Sequence, residues 1–264
     1  MTKKTKIEVK NLNKVIETKQ ILTNISFTLK TEEHLVIIGS SGAGKSMLVK
    51  CILGLEDVSH GSIFFDGKPM SGNADRQKFL NKLGVCFQGN ALFDSYNTWE
   101  NIAFKSLYNE RSPNILKLKK LAIERLKEVG LPTNIADLYP SELSGGMQKR
   151  VGIARSIFSD PDILIFDEPT TGLDPQARRN LWDLIKSFQK EGKTIMLTTH
   201  YMEEAEELCD RVAIIDEGKI IKIDSPSNLI DELTKSGFKS QKKIKDATLE
   251  DVFISLTGKS LRED

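Results

Sequence analysis

The stretch that most constrains this chain is Gly39-Ser40-Ser41-Gly42-Ala43-Gly44-Lys45-Ser46, which satisfies the pattern G-x-x-x-x-G-K-[ST]. An apolar run, Leu35-Val36-Ile37-Ile38, precedes it and reads as a buried strand. The segment Met47-Leu48-Val49-Lys50-Cys51-Ile52-Leu53 follows and reads as a helix. Strand, glycine-rich loop and helix in that order form the context in which such a loop cradles phosphate. Glycines let successive backbone N–H groups converge on phosphate oxygens, and the helix N-terminus adds a partial positive charge. Lys45 is expected to reach the β- and γ-phosphates, and the Ser46 hydroxyl to ligate Mg2+. A nucleoside triphosphate is therefore expected at 39–46.

Composition narrows the setting. The 264 residues suffice for one large domain or two small ones. Hydrophobic content of 39% and charged content of 28% are ordinary for a globular protein. A net charge of +1 makes no general case for nucleic acid as a partner. Cys51, Cys86 and Cys209 are scattered through apolar stretches and read as small core residues in a reducing compartment. No apolar run approaches the ~18 residues that span a bilayer. The basic start, Met1 to Lys6, is followed by no apolar signal core. The expectation is a cytoplasmic protein whose work at a membrane is done through a partner.

Along the chain, residues 6–30 alternate apolar and polar and read as antiparallel strands leading into the Leu35–Ile38 strand. Gly61 to Gly67 reads as a strand ending in a turn, and Leu83 to Gln88 as another short strand. From about Trp99 to Phe158 the pattern is mostly helical, with a stop at Gly130 and Pro132 just beyond it. Strands return at Ile163–Phe166 and Thr194–Thr198, flanking a helix from about Pro175 to Lys190. Val212–Ile215 and Ile220–Ile223 are joined by a hairpin-like turn. Strands alternating with helices predict an α/β fold with a parallel sheet, an antiparallel N-terminal part and an inserted helical part.

Two further segments carry chemistry. Ile163-Leu164-Ile165-Phe166-Asp167-Glu168 is an apolar strand ending in two carboxylates. After a phosphate loop this pattern places Asp167 on Mg2+ and Glu168 on the attacking water. Two acids at a buried strand end need a cation or a proton to be tolerated. Leu143-Ser144-Gly145-Gly146-Met147-Gln148-Lys149-Arg150 opens a helix, with Ser144 as N-cap and two glycines baring the backbone N–H groups. It is a second phosphate cradle in a chain with one phosphate loop.

Taken together, the 39–46 loop, Gln88, Leu143 to Gly146, the 163–168 strand, Gly172-Leu173-Asp174-Pro175 and His200 resemble, in order and spacing, the nucleotide-binding subunit of an ATP-binding cassette (ABC) transporter. The resemblance covers about residues 6–230. It implies an ABC-type P-loop core, with residues 1–234 as the nucleotide-binding domain, a helical subdomain at about 95–158, and 235–264 as a C-terminal extension. It implies ATP and Mg2+ as cofactors and two domains facing head to tail. Ser144, Gly145 and Gly146 would then meet the γ-phosphate of the partner's ATP, His200 would hold the γ-phosphate, and Asp174 would lie at the dimer interface. Gln88 would meet Mg2+ or the lytic water and sense a membrane permease. The implied location is peripheral, on the cytoplasmic face of the inner membrane. One position departs from the family: aligning Asn11 to Lys14 puts Ile16 where an aromatic residue usually stacks on adenine.

Within the family, Tyr139 to Met147 and Phe87 to Ser95 resemble the ATPase of bacterial lipid-asymmetry (Mla-type) transporters, as does Asn97 to Phe104. Gly89-Asn90 departs from the Ser-Gly usual there. This resemblance implies phospholipid transport and an extracytoplasmic lipid-binding substrate protein. The tail, Ala247 to Gly258, instead resembles the C-terminal extension of daunorubicin-type drug-exporter ATPases. A soluble ABC ATPase acting on ribosomes or DNA is a third reading, against which the near-neutral charge and single cassette weigh. A regulatory module that binds without hydrolysing is a fourth, against which Glu168 and His200 weigh.

Overall fold

The computed structural model describes residues 3–70, 72–89, 91–109, 112–236 and 249–257. The chain forms two compact units, Met1–Phe79 with Thr194–Asp264, and Leu80–Lys193.

The first unit opens with the antiparallel pair β1 (Thr5–Ile16) and β2 (Lys19–Lys30), in which Ile7 faces Leu29 and Val9 faces Phe27. Alternation interrupted by bulges between Val9 and Leu12 and between Leu12 and Lys14 buries Ile7, Val9, Leu12, Leu22, Ile25 and Leu29. The chain then enters β3 (His34–Ile38), turns through 39–44 and runs into α1 (Lys45–Leu53). β4 (His60–Phe65) and β5 (Lys68–Pro69) extend the antiparallel sheet in the order β2-β1-β4-β5. α2 (Asn73–Asn81) follows; its sequence has no apolar stripe, and periodicity did not foretell it.

The second unit pairs β6 (Leu83–Cys86) in parallel with a later strand and packs three helices beside it. α3 (Thr98–Asn109) is opened by a reciprocal cap: Asn97 Oδ1 accepts from the Glu100 N–H, and Glu100 Oε2 accepts from the Asn97 N–H. α4 (Ile115–Glu128) is capped by Asn114, buries Leu118, Ala122 and Leu126 at four-residue spacing, and stops at Gly130, where φ is +68°. α5 (Gly145–Ser156) begins at the Ser144 cap. β7 (Ile163–Asp167) is buried throughout and pairs with β6 so that Cys86 faces Phe166. α6 (Pro175–Lys190) matches the predicted helix, with Asp174 at its N-cap and proline at its first position.

The chain then completes the first unit. β8 (Thr194–Thr199) and β9 (Arg211–Asp216) flank β3 on either side, both parallel to it. Between them lies α7 (Met202–Leu208), too short for a periodic signal. β10 (Lys219–Asp224) returns antiparallel on β9, so the sheet order β10-β9-β3-β8 is mixed rather than wholly parallel. α8 (Pro226–Lys235) also went unpredicted, although Ser225 caps it and Leu229 and Leu233 bury its inner face. Within the exporter-like tail, α9 (Leu249–Thr257) buries Val252 and Phe253 and leaves Leu256 exposed. Lys239, Lys242, Lys243 and Lys245, with Ala247 and Thr248 at the start of the exporter-like stretch, lie outside the described residues. Among the described residues, no helix is long and apolar enough to cross a membrane.

Candidate functional site

The first unit places the phosphate loop at the C-terminal end of β3. A Cβ on Gly39 would lie 2.5 Å from the Ile215 carbonyl oxygen, so only glycine lets the loop leave the sheet here. Gly44 sits at φ +104°, and its hypothetical Cβ would be 2.8 Å from Leu22 Cδ2. No side chain caps the α1 N-terminus, an arrangement suited to an anion. Lys45 is buried, and its ammonium reaches back across the loop to the carbonyls of Gly39 (2.9 Å) and Ser40 (3.0 Å). Ser46 stands in the first turn of α1. Ile38 and Thr199 are register partners in β3 and β8, so the first residues beyond these strands, Gly39 and His200, come together at one sheet edge. The His200 ring packs against Tyr201 at 4.1 Å between centroids. The Tyr201 N–H donates to Thr199 Oγ1 at 2.9 Å and fixes the turn. Ile16 is exposed at the end of β1.

The second unit brings Gln88 and Glu168 together by the same logic, since β6 and β7 run parallel and end level. Gln88 Nε2 donates to Glu168 Oε2 at 3.1 Å, and Thr171 Oγ1 donates to the same oxygen at 3.2 Å. Asp167 and Glu168 are both buried. Glu168 adopts φ +47°, a backbone conformation uncommon for a side chain without an amide. Lys149, also buried, donates to the backbone carbonyls of Gln88 (2.9 Å) and Glu168 (3.3 Å). Burial pushes the Cys86 thiol up to about 11, against the nearby charges of Lys149 and Arg155.

Two expected contact residues begin helices. Ser144 Oγ accepts from the Met147 N–H at 3.3 Å. Asp174 Oδ1 accepts from the N–H groups of Gln176 (3.0 Å) and Ala177 (2.9 Å). A Cβ on Gly145 would meet nothing within 4 Å, and one on Gly146 only Leu173 Cδ2 at 3.8 Å. Packing among the described residues does not require glycine at either position.

Sequence reasoning missed Lys149 and Thr171. For Lys149 a signal existed: it stands four and seven residues before Ile153 and Ser156, both buried, so a lysine occupies the inward stripe of α5. For Thr171 we find none, because a loop threonine carries no periodic information.

The residue types expected to bind Mg2+ suit a hard cation: the Asp167 carboxylate, the Ser46 hydroxyl and the Gln88 amide each offer oxygen. Gln88 turns its amide nitrogen to Glu168, so the amide oxygen is the atom it can offer.

Residues 22–171 match the family model described as "ABC transporter". The chain is 38% identical over 225 residues to the Nod factor export ATP-binding protein I of Burkholderia orbicola (strain AU 1054), covering 85% of this chain and 72% of that one. It is 39% identical over 225 residues to the glutamine transport ATP-binding protein GlnQ of Escherichia coli (strain K12), covering 85% and 93%. Among solved structures, the dimeric bacterial ABC transporter cassette MJ0796 superimposes with a TM-score of 0.77 at 28% identity, covering 83% of this chain and 98% of that one. A second structure of MJ0796, in a post-hydrolysis state bound to ADP and Pi, aligns with the same TM-score at 27% identity and the same coverage.

Proposed function

Because this chain belongs to the ABC transporter family as an ATP-binding, ATP-hydrolysing subunit, we propose that two copies enclose ATP and drive a membrane permease. The observation that carries the reading is the Glu168 carboxylate, buried at the end of β7 and oriented by Gln88 and Thr171. Glu168 acts as general base on the attacking water. Asp167, Ser46 and Gln88 would hold Mg2+, which would supply positive charge to the transferring phosphoryl group. Gly39, Ser40, Ser41, Gly42, Ala43, Gly44 and Lys45 cradle the phosphates, and His200 holds the γ-phosphate. Ser144, Gly145 and Gly146 serve the partner copy's ATP. The open space at both glycines and the dimeric MJ0796 cassette support this. Asp174 lies at the same interface. Residues 1–234 make up the cassette, with the helical part at about 95–158, and 235–264 form an extension.

Glu168→Gln tests the assignment. ATP binding should persist while turnover falls at least about 100-fold. Unchanged phosphate release would remove Glu168 from the role of base.

The permease is expected to dock near Gln88; five residues on in sequence, Phe93 stacks on Phe104 at 4.3 Å, and Tyr108 is exposed. Such docking would place the chain peripherally on the cytoplasmic face of the inner membrane. Two cargo readings stand. Phospholipid transport, with a lipid-binding substrate protein outside, is supported by the resemblance of 87–95, 97–104 and 139–147 to Mla-type ATPases. Export of a small amphipathic molecule is supported by the exporter-like tail, by α9 forming and burying Val252 and Phe253, and by relatives named for Nod factor export. The relative named for glutamine transport is equally similar, so identity at this level does not track cargo. Purification of the tagged chain from its own membranes in mild detergent separates the two. A permease recovered with a substrate-binding protein and phospholipid supports the first reading. A lone exporter-type permease supports the second.

A further inference from the structure

α5 holds two loops at once. Lys149 Nζ donates to the Gln88 carbonyl at 2.9 Å and to the Glu168 carbonyl at 3.3 Å. Six residues further on, Arg155 Nη1 donates to the Ala91 carbonyl at 2.7 Å. Both Glu168 and Ala91 have positive φ, +47° and +49°. Non-glycine residues in that region are strained and persist only where surroundings hold them. A buried ammonium is also expensive, and an apolar residue in the inward stripe of α5 would pack at less cost.

We propose that Lys149 is a positioning residue for ATP hydrolysis: its ammonium ties the backbone of Gln88 to that of Glu168 and so sets the Gln88–Glu168 contact. The proposal rests on Glu168 being the general base. The geometry is direct. Gln88 Nε2 and Glu168 Oε2 meet at 3.1 Å from two separate loops, and side-chain registry at that distance depends on how the two backbones are spaced. Lys149 touches both backbones. A cation bonded to two carbonyls enforces this more firmly than a neutral donor, because charge-assisted hydrogen bonds are shorter and stronger. Any movement of α5, whose first turn is the Ser144-Gly145-Gly146 cradle, is thereby passed to the base within one and a half helical turns.

The test uses Lys149→Met, which keeps the stem and removes the donor, with Lys149→Gln and Lys149→Arg on the full-length chain. Lys149→Met should lower kcat roughly 10- to 100-fold with KM for ATP within about twofold, because misplacing a reacting group by about 1 Å costs that much. Lys149→Arg should recover most of the loss, and Lys149→Gln should fall between the two. Amide hydrogen exchange at 87–91 and 167–171 should quicken about tenfold in Lys149→Met, with 39–46 unchanged. A kcat within twofold of the parent, or faster exchange across the whole chain with no rescue by arginine, would overturn the proposal. If Lys149→Met does not fold, the kcat order of the arginine and glutamine variants decides, and equal values overturn it. Glu168→Gln run alongside separates the two ideas. Retained turnover there sinks the base assignment, while the exchange result at the two loops still reports on the tie.

Discussion

Gln88 Nε2 and Glu168 Oε2 lie 3.1 Å apart, although 80 residues separate them in sequence. The pairing arises because β6 and β7 are parallel neighbours that end level, each followed directly by a functional loop. A glutamine whose nitrogen faces a carboxylate orients that carboxylate without neutralising it.

This contact makes the charge at position 88 testable. Gln88→Ala should leave ATP binding within about twofold and lower kcat about tenfold, through loss of orientation. In Gln88→Glu two carboxylates would face each other at about 3 Å, and both cannot ionise. One would keep its proton toward neutral pH, so the acid limb of the kcat profile should move upward. Steady-state phosphate release against pH measures both effects.

Asp174 has a local task that the dimer reading did not require: it caps α6 through the N–H groups of Gln176 and Ala177. Asp174→Ala should destabilise the fold by about 1 kcal/mol, and Asp174→Asn by much less, since asparagine caps as well. Urea unfolding gives these values. If Asp174 also serves the interface, Asp174→Asn should weaken ATP-dependent dimerisation in sedimentation at unchanged stability.

The thiols should be silent in the folded chain. Burial pushes Cys86 up to about 11 and Cys209 up to about 12, with Asp210 and Glu206 adding to the latter, and burial raises Cys51 as well. Reaction with a disulfide reagent at pH 8 should be at least about 100-fold slower than in guanidinium, because the thiolate is the nucleophile. The sign for stability follows from proton linkage. The contribution is complete below the ordinary value of 9.0 and is lost as pH rises through 11 and 12, since the unfolded chain then releases protons that the folded chain keeps. Tm should fall across that alkaline window, less steeply in Cys86→Ala.

Ile16 is exposed at the end of β1, the position aligned with the usual adenine-stacking aromatic. Ile16→Tyr should tighten ATP binding by up to about 1–3 kcal/mol, the range of base–aromatic stacking. Fluorescent-nucleotide titration with competing ATP and GTP checks it, and an unchanged ATP affinity would reject the alignment.

Much of the molecule was legible in residue order. The phosphate loop between an apolar strand and a helix, the Asp167-Glu168 strand end and the Ser144 cap are local patterns, and each folds where its pattern stands. α6 was bounded correctly because Asp174, Pro175 and its apolar period all agree. α2 and α7 were missed because short polar helices are held by tertiary packing rather than by a stripe of their own. The cargo was legible only as two resemblances that point different ways, because the expected cargo contacts lie on the permease and not on this chain.

Residue order by itself therefore determined the chemistry on offer: which groups suit phosphate, which suit a cation and which can take a proton. Tertiary structure alone decided which of them meet. Strand pairing sets register between residues far apart in sequence and brings Gly39 beside His200 and Gln88 to Glu168, while helix packing sets a lysine on the inward face of α5 against both loops. A side chain's chemistry is a local property, whereas its distance from a partner 80 residues away is fixed by hydrogen-bonded sheet order and by what the core can bury.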